Sequence, residues 1–154
     1  MSPPDQSDSA TWPDLAGRIV VDSQGRGHVL PVRVYFEDTD FSGLVYHGSY
    51  IRWCERGRSD FLRLIGNDHR ALIDGSGARE PAAFFLKPAR IDEILEVTTR
   101  VKETTAATLT LDQRIAREGV ELFTAEVMVV LVSRSGKPQR LSSALRAALQ
   151  TKSR

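Results

Sequence analysis

The sequence lacks the features that mark several classes of protein. Its single cysteine, Cys54, allows no intrachain disulfide and no cysteine-based metal cluster. Its 21 Lys and Arg residues nearly balance its 20 Asp and Glu residues, which argues against binding nucleic acid through bulk positive charge. No apolar run approaches the roughly 20 residues of a membrane span, and the acidic, Pro- and Ser-rich start does not read as a secretory signal. We therefore expect a cytoplasmic protein without stable membrane insertion.

The length and composition indicate one domain with a core of its own. The chain has 154 residues, and 41% of them are hydrophobic, as in ordinary globular proteins. Ser, Pro and Asp dominate residues 1–17, so we expect a disordered leader there and a single domain over residues 18–154.

One long helix is predicted to precede a series of strands. Residues 48–65 carry apolar side chains at helical spacing, and Gly57 on that face would allow close approach to a sheet. Alternating or apolar patterns predict strands at residues 28–37, 94–102, 109–115 and 120–133, a short strand at 82–86, and a last helix at 144–150. This order indicates an α+β domain with the helix packed on one sheet face.

Other local predictions concern loops and isolated residues. Residues 74–78 are expected to form a loop, and residues 69–73 a short helical turn. Cys54 lies on the apolar helix face and is expected to be a buried small hydrophobe rather than a nucleophile. His28 and His69 have no clustered partners in the sequence and are expected at the surface.

The densest cluster of chemically useful residues lies just before the long helix. Glu37, Asp38 and Asp40 fall within four residues, and His47 stands at the predicted helix start. Free N–H groups and the helix dipole at such a position can polarise a carbonyl, with a carboxylate alongside as nucleophile or general base. The alternative is that these carboxylates only cap the helix. We predict no metal site, because the Asp-x-Asp pair lacks a calcium-loop continuation and a histidine at helical spacing.

The same segment resembles a known family. Asp38-Thr-Asp-Phe-Ser-Gly-Leu-Val-Tyr-His47, followed by Tyr50 and Glu55-Arg-Gly-Arg58, resembles the hotdog-fold acyl-CoA thioesterases. The subgroup concerned is the Tol-Pal-associated one, related to 4-hydroxybenzoyl-CoA thioesterase. The resemblance extends from about residue 28 to about residue 150.

The resemblance implies a fold and a set of site residues. The fold would be a curved antiparallel sheet wrapped around one long helix, in a homodimer or homotetramer with its cleft between protomers. The family's catalytic carboxylate falls on Asp40, and its carbonyl-polarising amide falls on the backbone N–H of His47, whose side chain would shape the site. Tyr46, Gly48 and Phe41 are the substrate-binding candidates, although core packing would explain the two aromatic residues equally well. No cofactor is implied.

The resemblance also implies a reaction, the hydrolysis of thioesters of coenzyme A or of acyl carrier protein. A dehydratase or hydratase acting on thioesters is a second hypothesis, and a low-turnover binding or scaffold module of the same fold is a third. The third draws on a departure from the family pattern, because residues 74–86 predict a short strand interrupted by Pro81 where the family has a longer apolar one.

Overall fold

We describe the protein from a computed structural model, which covers residues 17–65, 76–131, 137 and 140–150. The elements in chain order are β1 (Arg18–Asp22), β2 (Gly25–Arg33), a 3-10 turn (Phe36–Asp38), α1 (His47–Leu64), β3 (Ser76–Phe85), β4 (Ile94–Thr104), β5 (Thr108–Arg117), β6 (Val120–Leu131) and α2 (Ser143–Gln150). Of the predicted leader, only Gly17 lies among the described residues, and the helical turn predicted at 69–73 lies outside them.

The six strands form one antiparallel sheet with α1 on one face. The strand order is β1-β2-β4-β5-β6-β3, and α1 contacts β1, β2, β4 and β5. The predicted α+β class is therefore confirmed. No helix among the described residues is long and apolar enough to cross a membrane.

The long helix packs closely against the sheet through its apolar face. Cys54 and Phe61 are fully buried there, as their spacing predicts. A Cβ atom added at Gly57 would lie 3.0 Å from Val97 Cγ1 and 3.1 Å from Thr99 Oγ1. The glycine therefore permits the close approach of α1 to β4 that its place on the helix predicts.

Strand β3 is longer than predicted. It spans ten residues, Ser76–Phe85, and pairs with β6, so the predicted loop at 74–78 is wrong where it overlaps the strand. The register shifts between Arg79 and Ala82, next to Pro81, which has no N–H to donate to a neighbouring strand. Pairing with a long neighbouring strand overrides the weak local strand signal of this glycine-containing segment.

Strand β2 ends earlier than its alternating pattern predicts. The paired segment stops at Arg33, and residues 36–38 form the 3-10 turn. Phe36, predicted on the same strand face as buried Val34, is exposed instead. The Asp38 carboxylate accepts a hydrogen bond from the N–H of Tyr35, which turns the chain away from the sheet.

His28 is buried, so its predicted surface position is wrong. Its side chain is fully buried on the helix-facing side of β2, and its Nε2 atom lies 2.6 Å from Asp60 Oδ2 on α1. The partner is 32 residues away in sequence, which is why the histidine looks isolated in the sequence. His69 lies outside the described residues.

Candidate active site

Asp40 lies in a closed turn between the 3-10 turn and α1. Thr39 forms a β-bridge with Val45, and the N–H of Asp40 donates to the carbonyl of Leu44 at 2.9 Å. Gly43 donates its N–H to the carbonyl of Asp40 at 3.0 Å and has a φ of 79°, which glycine adopts at little cost. These contacts fix the backbone on both sides of Asp40.

The Asp40 carboxylate is exposed and accepts hydrogen bonds from Ser42. Its Oδ1 atom accepts hydrogen bonds from the backbone N–H of Ser42, at 2.8 Å, and from the Ser42 hydroxyl. These hydrogen bonds, the hydroxyl one foremost, hold the pKa of Asp40 below its ordinary value. The group is therefore ionised at neutral pH, as a nucleophile or general base must be.

The start of α1 presents backbone donors beside this loop. Tyr46 is the N-cap residue, and no side chain in the described part of the chain caps the helix. The N–H of Ser49 donates to the carbonyl of Tyr46, and the N–H of Tyr46 donates to the carbonyl of Asp38. Among the described residues, no hydrogen bond uses the N–H of His47 or Gly48. Both groups stand at the positive end of the helix dipole and can donate hydrogen bonds to a carbonyl or oxyanion oxygen.

A cleft of about 440 Å³ joins the loop, the helix start and the chain after β3. Its lining residues are Asp40, Val45, Tyr46, His47, Tyr50, Phe85, Leu86, Lys87 and Pro88. The structure thus brings three of the predicted site residues, Asp40, His47 and Tyr46, together in one cleft. Phe41 is fully exposed and does not line this cleft.

Gly48 contributes to the cleft through Tyr46. A Cβ atom at Gly48 would overlap the phenol of Tyr46, so the absence of a side chain lets that ring lie across the first turn of α1. The guanidinium of Arg52 lies 5.9 Å from the centre of the same ring. Gly48 therefore determines where the Tyr46 ring lies at the edge of the cleft.

Another part of the cleft wall is aromatic and packs against α1. Phe85 packs edge-on against His47 and Tyr50, with ring centres 6.0 and 5.6 Å apart, and against Phe123 at 4.9 Å. The Tyr50 hydroxyl accepts a hydrogen bond from the N–H of Ala89 at 2.8 Å, and burial raises the pKa of this phenol. The ring of Tyr50 is therefore a neutral, buried part of the cleft floor.

Sequence reasoning missed the wall formed by residues 85–88. Leu86 and Lys87 both donate their N–H groups to the carbonyl of Leu122, which holds this segment on β6. Ala89 accepts a hydrogen bond from the N–H of Val45, which brings the segment to the Asp40 loop. The apolar run before Pro88 was a usable signal, but only the sheet order places it beside the helix start.

Comparison with known proteins decides the family. Residues 34–149 match the family model described as the Thioesterase-like superfamily. The chain belongs to this superfamily. A relative in Haemophilus influenzae, the acyl-CoA thioesterase YbgC, is 36% identical over 114 residues, which cover 69% of this chain and 81% of that protein. The acyl-CoA thioester hydrolase YbgC of Escherichia coli O6:H1 is 41% identical over 106 residues, covering 66% and 79%.

A solved structure agrees with these relatives. The probable thioesterase from Bartonella henselae superposes with a TM-score of 0.69 at 37% sequence identity, covering 75% of this chain and 99% of that one. The predicted family of hotdog-fold acyl-CoA thioesterases is confirmed, and with it the hotdog architecture of the sheet and helix described above.

Proposed function

We propose that this superfamily member hydrolyses acyl-CoA thioesters to the free acid and coenzyme A, with Asp40 as its catalytic carboxylate. The observation that carries the proposal is the shared cleft, whose lining includes Asp40, with its ionised carboxylate, and His47, whose N–H makes no hydrogen bond among the described residues. The names of the relatives, acyl-CoA thioesterase and acyl-CoA thioester hydrolase, support the same reaction.

The reaction follows from what these two groups can do. The thioester carbonyl oxygen accepts a hydrogen bond from the N–H of His47, which stabilises the negative charge that develops on it. One such donor is typically worth about 3 to 4 kcal/mol in the transition state. As general base, Asp40 takes a proton from water while the water oxygen attacks the carbonyl carbon, and the C–S bond then breaks to release the coenzyme A thiolate. As nucleophile, the Asp40 carboxylate attacks the carbonyl carbon and the C–S bond breaks to release the coenzyme A thiolate; water then hydrolyses the resulting mixed anhydride to the free acid and the Asp40 carboxylate.

The remaining site residues are assigned to binding the substrate. Tyr46, together with Phe85 and Leu86 opposite, forms an apolar surface for the acyl group. Gly48 acts by leaving room for the Tyr46 ring, and the His47 side chain packs on Phe85. Phe41 is fully exposed, so we assign its contact with substrate to the cleft of a neighbouring protomer.

We further propose a homodimer or homotetramer. Strand β3 lies at one edge of the sheet, and Phe84, Phe85 and Leu86 at its end are more than half exposed. An unpaired edge with exposed apolar side chains favours contact with a second chain. A cytoplasmic location remains a prediction from the composition of the sequence, and the association with the Tol-Pal system and acyl carrier protein as an alternative acyl donor remain predictions from the resemblance.

The alternative of a low-turnover binding module keeps only part of its support, since the interruption at Pro81 persists as a register shift between Arg79 and Ala82 but the strand is not short. It was based on a short strand over residues 74–86, whereas β3 spans Ser76–Phe85 and pairs with β6. A thiol-release assay over short, long and aromatic acyl-CoAs and an acylated carrier protein tests the choice. We expect repeated turnover with at least one acyl-CoA, and tight binding without thiol release would support the binding module instead.

A further inference from the structure

We infer that Asp38 is a positioning residue for this reaction. Its carboxylate holds the loop that carries Asp40 against the first turn of α1, where the N–H of His47 is presented. The inference rests on the proposed function, because it takes Asp40 and the His47 N–H as the groups that act on the thioester.

The contacts of Asp38 join the two sides of the site. Its side chain is 9% exposed. One carboxylate oxygen, Oδ2, accepts a hydrogen bond from the N–H of Tyr35 at 2.9 Å, on the strand side of the loop. The other, Oδ1, accepts one from the Ser49 hydroxyl at 3.2 Å, in the first turn of the helix. Its main-chain carbonyl accepts the N–H of Tyr46 at 2.9 Å.

The helix side of this contact is itself fixed. Ser49 is fully buried, and its Oγ atom accepts a hydrogen bond from Arg52 Nη2 at 3.0 Å. The same Arg52 nitrogen lies 3.9 Å from Asp38 Oδ1 and supplies an opposite charge to the carboxylate. Buried polar groups with their partners in place have one preferred arrangement. The contact between Asp38 and Ser49 therefore holds the loop at a defined distance from the first turn of α1.

Asp38, whose carboxylate caps the 3-10 turn through the Tyr35 N–H, does this without capping α1. A capping carboxylate would accept a backbone N–H in the first turn of α1. Asp38 bonds to the Ser49 side chain instead, and among the described residues the N–H groups of His47 and Gly48 are left unused. The loop is thus tied to the helix start while the oxyanion donors stay available to substrate, which answers the capping alternative for this carboxylate.

The reacting groups lie close to both ends of this tie. Asp40 follows Asp38 by two residues, and His47 precedes Ser49 by two residues. A shift of the loop relative to the helix therefore changes the distance between the Asp40 carboxylate and the thioester carbonyl. A misplacement of about 1 Å can cost on the order of 100-fold in rate.

The test uses variants of Asp38 and Ser49, the two residues whose side chains join the loop to α1, in the thiol-release assay. We expect Asp38→Ala to lower kcat about 10- to 100-fold, because the loop loses its attachment to α1. KM should stay within about threefold, since the apolar surface that binds the acyl group is untouched. Asp38→Asn should restore most of kcat, because its amide oxygen can accept the Tyr35 N–H and its NH2 group can donate to Ser49. Ser49→Ala removes only a hydroxyl from the other end of the tie and should also lower kcat.

Asp60→Ala is the matched control. The Asp60 carboxylate also anchors α1, accepting hydrogen bonds from His28, Arg63 and the N–H of Gly17. It lies 13 residues after His47, or about 20 Å along the helix at 1.5 Å per residue. Its loss should lower the free energy of unfolding and leave kcat unchanged, which separates positioning from general helix anchoring.

Three results would overturn the inference. The first is wild-type kcat in both Asp38→Ala and Ser49→Ala, and the second is an equal loss in Asp38→Asn and Asp38→Ala. The third is an equal loss of kcat in Asp60→Ala. If Asp40→Asn is inactive while the Asp38 and Ser49 variants are fully active, only this inference fails. If Asp40→Asn keeps wild-type turnover, the proposed function itself fails.

Discussion

Asp38 and Asp40 stand two residues apart, yet their carboxyl groups have opposite environments. Asp38 is buried and bonded to the helix through Ser49, whereas Asp40 is exposed at the cleft with Ser42 as its neighbour. The 3-10 turn between β2 and the loop produces this division, because it directs one carboxylate inward and leaves the other facing outward. Under the proposed function, these two residues of one type take on a supporting role and a chemical role.

We expect the Ser42 hydroxyl to influence the pH at which activity is lost in acid solution. It is the foremost cause that lowers the pKa of Asp40, so Ser42→Ala should raise that pKa towards its ordinary value. A carboxylate with a higher pKa becomes protonated at higher pH. We therefore expect the acid limb of the kcat/KM–pH profile to move to higher pH in the variant, measured by thiol release.

Thr39→Ala is the matched control for this shift. The Thr39 hydroxyl lies in the same loop but donates to the carbonyl of Phe36 and does not contact the Asp40 carboxylate. Its removal should leave the acid limb where it is in the wild type. An unchanged limb in Ser42→Ala, or equal shifts in both variants, would contradict the assignment of the limb to Asp40.

At the scale of elements, α1 is anchored to the rest of the fold by polar groups along its length. Its first turn is bonded to Asp38. In its middle, Gln113 on β5 donates to the carbonyl of Cys54 at 2.7 Å and to Thr99 Oγ1 at 2.9 Å. Further along, Asp60 accepts from His28. The contact with Asp38 therefore fixes the first turn, which carries the proposed oxyanion donors, and the contacts further along hold the rest of α1 on the sheet.

The His28–Asp60 pair makes stability depend on pH. Burial lowers the pKa of His28, outweighing the opposing effect of Asp60. Burial raises the pKa of Asp60, but hydrogen bonds from Arg63, His28 and Gly17 outweigh it, and the net shift is downward. Both shifts mean that the unfolded chain binds protons more readily than the folded one, so acidification destabilises the fold.

We expect the free energy of unfolding to fall as pH drops below about 6.5, the ordinary pKa of histidine. A second loss of stability should follow in more acid solution, when Asp60 takes up a proton at a pH below 3.8, the ordinary pKa of its carboxyl group. His28→Gln keeps an N–H donor for Asp60 but does not titrate, so the first loss should shrink. Urea unfolding at pH 7.5 and 5.5 measures this, and an undiminished loss in the variant would contradict it.

Local sequence patterns predicted the elements that have a clear hydrophobic periodicity of their own. They missed the structural features that depend on residues far away in the sequence. The 48–65 helix and the strands at 94–102 and 109–115 follow from periodicity, because one face of each is buried. The length of β3 and the burial of His28 were missed, since they depend on pairing with β6 and on Asp60. The Asp40 loop came from a dense motif, whereas the cleft wall near Phe85 depends on the order of the strands.

At the scale of the whole molecule, the cleft opens at the surface of a single chain. Asp40 and His47 are both exposed, and the neighbouring aromatic residues Tyr46 and Phe85 are about half exposed. Oxyanion stabilisation is strongest where water is excluded, so an exposed site is incomplete as a catalyst. A second copy that covers the cleft would supply the missing enclosure.

Sedimentation velocity tests this assembly. We expect a dimer or tetramer at the enzyme concentrations used for the thiol-release assay, with activity per chain falling when dilution yields monomers. A monomer with full activity would contradict the proposed assembly and show that one chain holds the complete site.

The central claim is that the carboxylate of Asp40 is the catalytic group of a thioester hydrolase. The most direct measurement is thiol release by Asp40→Asn, at saturating concentration of the acyl-CoA that the wild type turns over best. The substitution keeps the side-chain shape but removes the charge that a base or nucleophile needs. We predict loss of turnover in a folded protein with the wild-type oligomeric state. Wild-type turnover by Asp40→Asn would contradict the account.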